Sequence, residues 1–308
     1  MKGVIYKSTG SWYVIKSEKG DLFNGRMKGK FKIDGITSTN PVAVGDIVEI
    51  DESEIEEGLV MITGICDRRN YITRQSPHNK YQHHIIAANI DQSILLATLK
   101  APKTSRGFID RFLVTAEAYH IPSILVFNKI DIYRKKEQIR LEDFTKDYES
   151  IGYKVLHISL LEDKGVEVLI NELANKITLI AGHSGVGKSS LLNRLLPGAA
   201  IKTQDVSDWS GKGLHTTTFA EMYDLPVGGK VIDTPGLREF ALADMKKEEL
   251  SHYFPEMRKL INQCKFNNCL HLQEPGCAVT AAVNSGEIPV ERYTSFLTMM
   301  DSVQEKNP

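Results

Sequence analysis

Over residues 1–72 the apolar positions come in short runs: VIYKS, SWYVIKS, DLFNGRMKGKFKI and DIVEIDE. They are rich in Val, Ile, Tyr, Trp and Phe, and Gly, Asn and Asp punctuate them, which predicts short strands. Almost none of this stretch has a helical period. A domain of this size made of short strands suits a small all-β barrel of the OB-fold type. From 73 to 244 the pattern changes. Apolar runs at 92–99, 122–132, 154–160, 176–181 and 228–237 alternate with helical stretches. At 107–120, Phe108, Phe112 and Ala116 fall at helical spacing, and 165–175 forms a second helical stretch. Strands alternating with helices predict an α/β domain with a mostly parallel sheet. From 245 to 308 the chain reads as helices, with a break at Pro255. A cysteine-rich segment interrupts them, and a helical tail, YTSFLTMMDSVQ, packs on it. Three domains follow, 1–72, 73–244 and 245–308, with 67–76 (DRRNYITRQS) read as a linker.

The strand at 176–181 ends in GHSGVGKSS: Gly182, His183, Ser184, Gly185, Val186, Gly187, Lys188, Ser189 and Ser190. This fits G-x-x-x-x-G-K-[ST]. The glycines let successive backbone N–H groups converge on phosphate oxygens, and the helix that follows directs its positive end at them. Lys188 reaches the outer phosphates, and the Ser189 hydroxyl is a Mg²⁺ ligand candidate. The motif alone does not separate ATP from GTP.

Two other strand ends carry matching chemistry. Asn128, Lys129, Ile130 and Asp131 form N-K-x-D, which resembles the guanine-reading motif of G proteins. A carboxylate accepts two bonds from guanine N1–H and N2–H₂, a donor pair that adenine lacks. Strand ends are also where α/β sheets bind ligands. The second is DTPG, whose Asp233 suits the Walker-B role toward Mg²⁺ and whose Gly236 N–H can sense a γ-phosphate. Between this motif and the phosphate loop lies SDWSGKGLHTTTF, residues 207–219, a polar, glycine-containing switch candidate. It supplies Thr216 and Thr217 as further Mg²⁺ ligand candidates. The parts are those of a GTPase in permuted order, because the guanine motif precedes the phosphate loop. Each motif still ends its own strand, so the same sheet can form.

The cysteines add a metal. Cys264, Cys269, His271 and Cys277 lie within fourteen residues, in a chain with one other cysteine, Cys66, read as a core residue. Cys₃His is a usual ligand set for one structural Zn²⁺. Net charge is −1, so the chain as a whole offers nucleic acid no strong attraction. Locally, Arg26, Lys28, Lys30 and Lys32 alternate with Met27, Gly29, Phe31 and Ile33, placing four cations on one strand face. That face can track an RNA backbone, or it is simply a solvated basic face. Seven carboxylates between 46 and 57 offset its charge. No apolar run approaches the roughly 20 residues of a membrane span, and MKGVIYKSTG lacks a signal-peptide core. A cytoplasmic location with no membrane partner is expected.

The order NKID, GHSGVGKSS, GLHTTT, DTPGLREF, FPE and CKFNNCLHLQEPGCAV resembles the RsgA (YjeQ) family over nearly the whole chain. These are circularly permuted bacterial GTPases that depend on the small ribosomal subunit. The resemblance implies a multi-domain protein: an N-terminal OB-fold barrel, a central circularly permuted P-loop GTPase domain and a C-terminal α-helical zinc-binding domain. It implies hydrolysis of GTP to GDP and phosphate, stimulated by the 30S subunit, a role in that subunit's late maturation, and contact with 16S rRNA by a monomer. Ser159, in SLLED, stands at the family's base-contact motif. Leu237 occupies the place where Ras-like enzymes carry the water-orienting Gln, and it cannot hydrogen-bond water. His215, on the switch candidate, is the proposed substitute; the alternative is a loop histidine without a catalytic role. Lys188 is the other catalytic candidate. Two further functions remain open on the residues alone: a P-loop ATPase or kinase, and a zinc and OB-fold RNA-binding scaffold with nucleotide as a structural ligand.

Overall fold

The computed structural model describes residues 1–27, 41–56, 58–75, 83–198, 219–234 and 245–303. Among the sequence-predicted site residues, Lys28, Lys30, Lys32, His215, Thr216, Thr217 and Gly236 lie outside the described residues, as does Leu237.

Strands β1 (Lys2–Ser8), β2 (Tyr13–Ser17), β3 (Leu22–Met27), β4 (Ile47–Glu56) and β5 (Leu59–Ile65) close a five-stranded barrel in the order β1-β2-β3-β5-β4 and back to β1. β3 and β5 run parallel and the other pairs antiparallel. Alternation drives the closure: Tyr13 and Ile15 point inward from β2 and join Ile5, Val48, Val60 and Ile62 in a separate core.

Next come β6 (Tyr71–Gln75) and β7 (His83–Ala88), which pair antiparallel. This corrects the linker expectation for 67–76. Ile72 is fully buried in the core of the following domain, which is why the segment folds. Two of the arginines there are anchors. Arg68 donates to both Asp46 oxygens at 2.6 Å and to the Pro41 carbonyl, and Arg69 donates to Asp91 at 2.8 Å. Asp46, one of the seven carboxylates, is therefore a buried structural group. Cys66 is half-buried, at the barrel's end, instead of in a core.

The central sheet contains β8 (Gln92–Ala97), β9 (Ser123–Phe127), β10 (Lys154–His157), β11 (Ile177–Ala181), β12 (Glu221–Asp224) and β13 (Lys230–Asp233). Its order is β10-β9-β8-β11-β13-β12, parallel throughout except for β12. Helices α1 (Arg106–Ala118) and α2 (Lys135–Ser150) cover one face. Helices α3 (Val166–Leu173) and α4 (Lys188–Leu195) cover the other. Every residue of β8 is buried because both faces are covered, with Leu95 facing one helix layer and Ile94 and Leu96 the other. Strand β1 of the barrel joins the free side of β12, with Lys7 opposite Glu221, so barrel and sheet form one eleven-stranded sheet. Tyr6 and Lys16 both donate to Asp224 across this junction, at 2.7 and 2.6 Å.

The C-terminal module holds α5 (Lys247–Leu250), α6 (Pro255–Arg258), α7 (Ala278–Ser285) and α8 (Val290–Ser302). Pro255 starts α6, a position that needs no N–H, which explains the break expected there. Phe254, Met257, Val279, Phe296 and Met299 form its core together with Val114 of α1. Arg292 of α8 is fully buried and donates to Glu256 at 2.8 and 3.3 Å and to Asp110 of α1 at 2.6 Å.

Candidate nucleotide site and metal centre

Because β8, β9, β10, β11 and β13 are parallel, the segments that follow them emerge at one edge of the sheet. Three of the sequence-predicted motifs meet there. Asn128, 2% exposed, follows β9 and donates from Nδ2 to the Val186 carbonyl of the phosphate loop at 2.9 Å. Its Oδ1 accepts from the Leu160 N–H. Gly187, at φ +105°, has no room for a Cβ because the Asn128 amide lies against it. Gly182, at φ +145°, is pressed on the Leu96 carbonyl in the same way. The glycine spacing is thus explained by close approach as well as by turn conformation.

Lys188 opens α4 and donates from Nζ to the carbonyls of Gly182 and, at 3.0 Å, His183, so it spans the mouth of the loop. Ser184 and Ser190 are exposed, Ser189, Gly185 and Gly187 are half-buried, and Val186 is anchored in the core. The His183 ring bonds Thr104 at 2.7 Å through Nε2, lies 3.1 Å from the Ser184 carbonyl through Nδ1 and meets Phe108 edge-on. Burial keeps this imidazole below its usual range, and the Lys188 charge adds to the effect.

Asp131, on a short 3-10 turn from Ile130 to Ile132, accepts from the Ser159 hydroxyl at 2.6 Å. Ser159 is fully buried after β10, and its hydroxyl also accepts from the Glu162 N–H. Lys129 takes a left-handed backbone (φ +62°) and donates to the Ala101 carbonyl at 2.7 Å. Asp233 ends β13 beside β11. Burial holds its carboxyl above the usual range, and the neighbouring Lys188 ammonium offsets only part of that.

Sequence reasoning missed two supports. Tyr133 donates to the Asn128 carbonyl at 2.8 Å and accepts from the Leu99 N–H, tying the loops after β8 and β9 together. Thr104 fixes His183. No local pattern marks either residue; both act across the sheet edge.

In the C-terminal module the ligand atoms of Cys264, Cys269, His271 and Cys277 lie within 4.8 Å of one another. His271 Nδ1 is 3.6 Å from Cys264 Sγ and 3.4 Å from Cys277 Sγ. Four ligands around a tetrahedral Zn²⁺ with bonds of about 2.0–2.3 Å stand roughly 3.5–3.8 Å apart, so the donor set fits the ion. N–H groups of Ala278 and Thr280 point at the Cys264 and Cys277 sulfurs; burial works against a charged Cys277, but the hydrogen bonds it accepts outweigh this and hold its thiol below the usual range. Glu274, which sequence reasoning also missed, accepts from the N–H groups of Leu270, Leu272 and Gln273 and shapes the turn between ligands. Tyr293 of α8 donates to the His271 carbonyl at 2.7 Å and clamps the turn.

Of the RNA-face candidates, Arg26 is described. It is exposed on β3, and its guanidinium lies 3.5 Å from the Trp12 ring centre.

Comparison with known proteins agrees with this architecture. The sequence model of the RsgA GTPase matches residues 65–243, and that of the RsgA N-terminal domain matches residues 2–60. The small ribosomal subunit biogenesis GTPase RsgA of Flavobacterium psychrophilum is 52% identical, over 99% of this chain and 94% of that one. Its namesake in Bacteroides fragilis is 48% identical, over 99% and 98%. The crystal structure of YjeQ from Thermotoga maritima superposes with a TM-score of 0.79 at 32% identity, covering 99% of both chains. That of YloQ, a circularly permuted GTPase, gives 0.76 at 31%, covering 100% of this chain and 96% of the other. With three loops converging on one sheet edge, a five-stranded barrel before them and a Cys₃His cluster after them, the chain belongs to the RsgA GTPase family.

Proposed function

We propose that this chain hydrolyses GTP to GDP and phosphate and, in the cytoplasm, assists late maturation of the small ribosomal subunit as a monomer that contacts 16S rRNA and is stimulated by the 30S subunit. The observation that carries the reading is the Asn128–Val186 bond, which fastens the N-K-x-D segment to the phosphate loop. A base held by Asp131 and phosphates held by the loop then belong to one ligand.

In this reading the chain divides into an RNA-binding barrel at 1–72, a permuted GTPase domain at 73–244 and a zinc-binding domain at 245–308. Asp131, aimed by Ser159, accepts from the guanine edge. Asn128, Lys129 and Ile130 frame the base, and residues 182–190 wrap the phosphates with backbone N–H groups. Lys188 exchanges its loop carbonyls for phosphate oxygens, and Gly236 donates to the γ-phosphate. Ser189 and Thr217 would hold Mg²⁺, with Asp233 oriented toward it; when bound, the ion neutralises phosphate charge. Cys264, Cys269, His271 and Cys277 would hold Zn²⁺, which when bound cross-links a module with a small core. With Leu237 unable to orient water, His215 positions the attacking water when the chain is on the subunit.

The test is phosphate release from GTP with and without 30S subunits. Stimulation by 30S in the wild type, and its loss in His215→Ala at unchanged GTP affinity, is the expected outcome. Hydrolysis unaffected by 30S subunits would remove the ribosomal reading. Undiminished stimulation in His215→Ala would remove the role of that residue.

A further inference from the structure

The outward positions of the β2–β3 pair alternate along both strands. They are Trp12, Val14 and Lys16 on one side and Leu22, Asn24 and Arg26 on the other, in register with Val14 opposite Asn24 and Lys16 opposite Leu22. None of the six is acidic. Trp12 sits just before β2 at 42% exposure, a costly place for the largest apolar side chain. Its ring is stacked with the exposed Arg26 guanidinium at 3.5 Å. A cation on an aromatic face fixes both planes in advance, so little side-chain freedom is lost when a third plane is added. The outer β2–β3 face is also the one on which OB-folds take oligonucleotides.

We propose that the Trp12–Arg26 pair is a base-stacking site for unpaired RNA, the indole or guanidinium plane receiving one nucleobase while Arg26 stays close to the adjacent phosphate. The inference rests on the ribosomal reading for its natural partner, but the site itself is independent of it. RNA is favoured because the pair offers two π-faces and a cation, with no carboxylate bonded to Arg26 among the described residues, while Lys16 at the other end of the face is taken up by Asp224; this is the combination that single strands use without base-edge readout. Stacking of one base predicts about a tenfold loss of affinity when the ring is removed.

The experiment uses the full chain. The sequence holds two tryptophans, so Trp209→Phe leaves Trp12 as the sole indole reporter. Titration with a single-stranded oligoadenylate hexamer should quench its fluorescence. Trp12→Ala should bind both the hexamer and 30S subunits about tenfold more weakly, with Trp12→Phe close to wild type. Because the lost contact is uncharged, the salt dependence of Trp12→Ala should keep the wild-type slope. If the wild type binds 30S subunits, Trp12→Ala matches it and the hexamer leaves fluorescence unchanged, the stacking site is wrong and the ribosomal reading stands. If the hexamer quenches Trp12 but 30S subunits do not bind, the site stands and the ribosomal reading falls. If neither binds, both fall. If Trp12→Ala loses 30S affinity while the hexamer is silent, a protein covers this face and the proposal is overturned.

Discussion

Asp131 is aimed by a serine 28 residues further along the chain, and the bond between them is 2.6 Å long. A hydrogen bond to an ionised group contributes about 1.5–3 kcal/mol. Ser159→Ala should therefore weaken fluorescent GDP binding by at least about tenfold, while an ATP analogue, which makes no use of Asp131, stays as weak as before. At this scale the sequence was highly legible where a motif fixes chemistry by local spacing. N-K-x-D and the phosphate loop each name their residues, and the fold brings them together. It was not legible where a support comes from another element. Thr104 and Tyr133 bear on the same loops through the folded sheet edge, and the residues around them carry no mark of it. Ser159 lies between the two cases, because the family resemblance put it at the base-contact motif but did not show its bond to Asp131.

Among the elements, the turn around Glu274 joins local electrostatics to the metal centre. Burial works against its charge, yet the backbone N–H groups it accepts outweigh this and hold its carboxyl below the usual range. A carboxyl depressed in the folded state stabilises fully above the unfolded value, and the benefit disappears as pH falls through the folded one. Glu274→Gln should thus lower the Tm most near neutral pH, and the gap to wild type should close in acid. A gap that widens in acid would contradict this. Helix α2 and strands β5, β6, β7 and β12 show where element-scale reading stops. In α2 the buried Leu141, Phe144 and Tyr148 keep helical spacing, but they are sparse among charged residues. The short β12 and β6 gain their order from neighbours, β13 and β7, rather than from a long apolar run of their own.

For the whole molecule, the central domain and the C-terminal module meet across a buried ionic cluster. Arg292 balances Glu256 and Asp110 with all three groups buried, and Tyr148 adds a hydroxyl bond to Asp110 at 2.7 Å. Removing one partner of such a cluster leaves uncompensated charge and costs about 3–5 kcal/mol, whereas replacing the whole cluster is often near neutral. Arg292→Met alone should lower the urea midpoint strongly. Combining it with Asp110→Asn and Glu256→Gln removes the unpaired charge and should recover part of the loss. Equal damage in the single and triple variants would mean that packing, not charge, holds the module.

The strand pairing between barrel and central sheet has a consequence in time. Lys7 and Glu221, which meet at the β1–β12 junction, are separated by 214 positions. At a synthesis rate of about 5–20 residues per second, β1 waits roughly 10–40 s for its partner to leave the ribosome. A strand left open for so long invites wrong pairings. The barrel can avoid this by closing β1 on β2 and β4 before the junction forms, because the core between its sheets is drawn from its own residues.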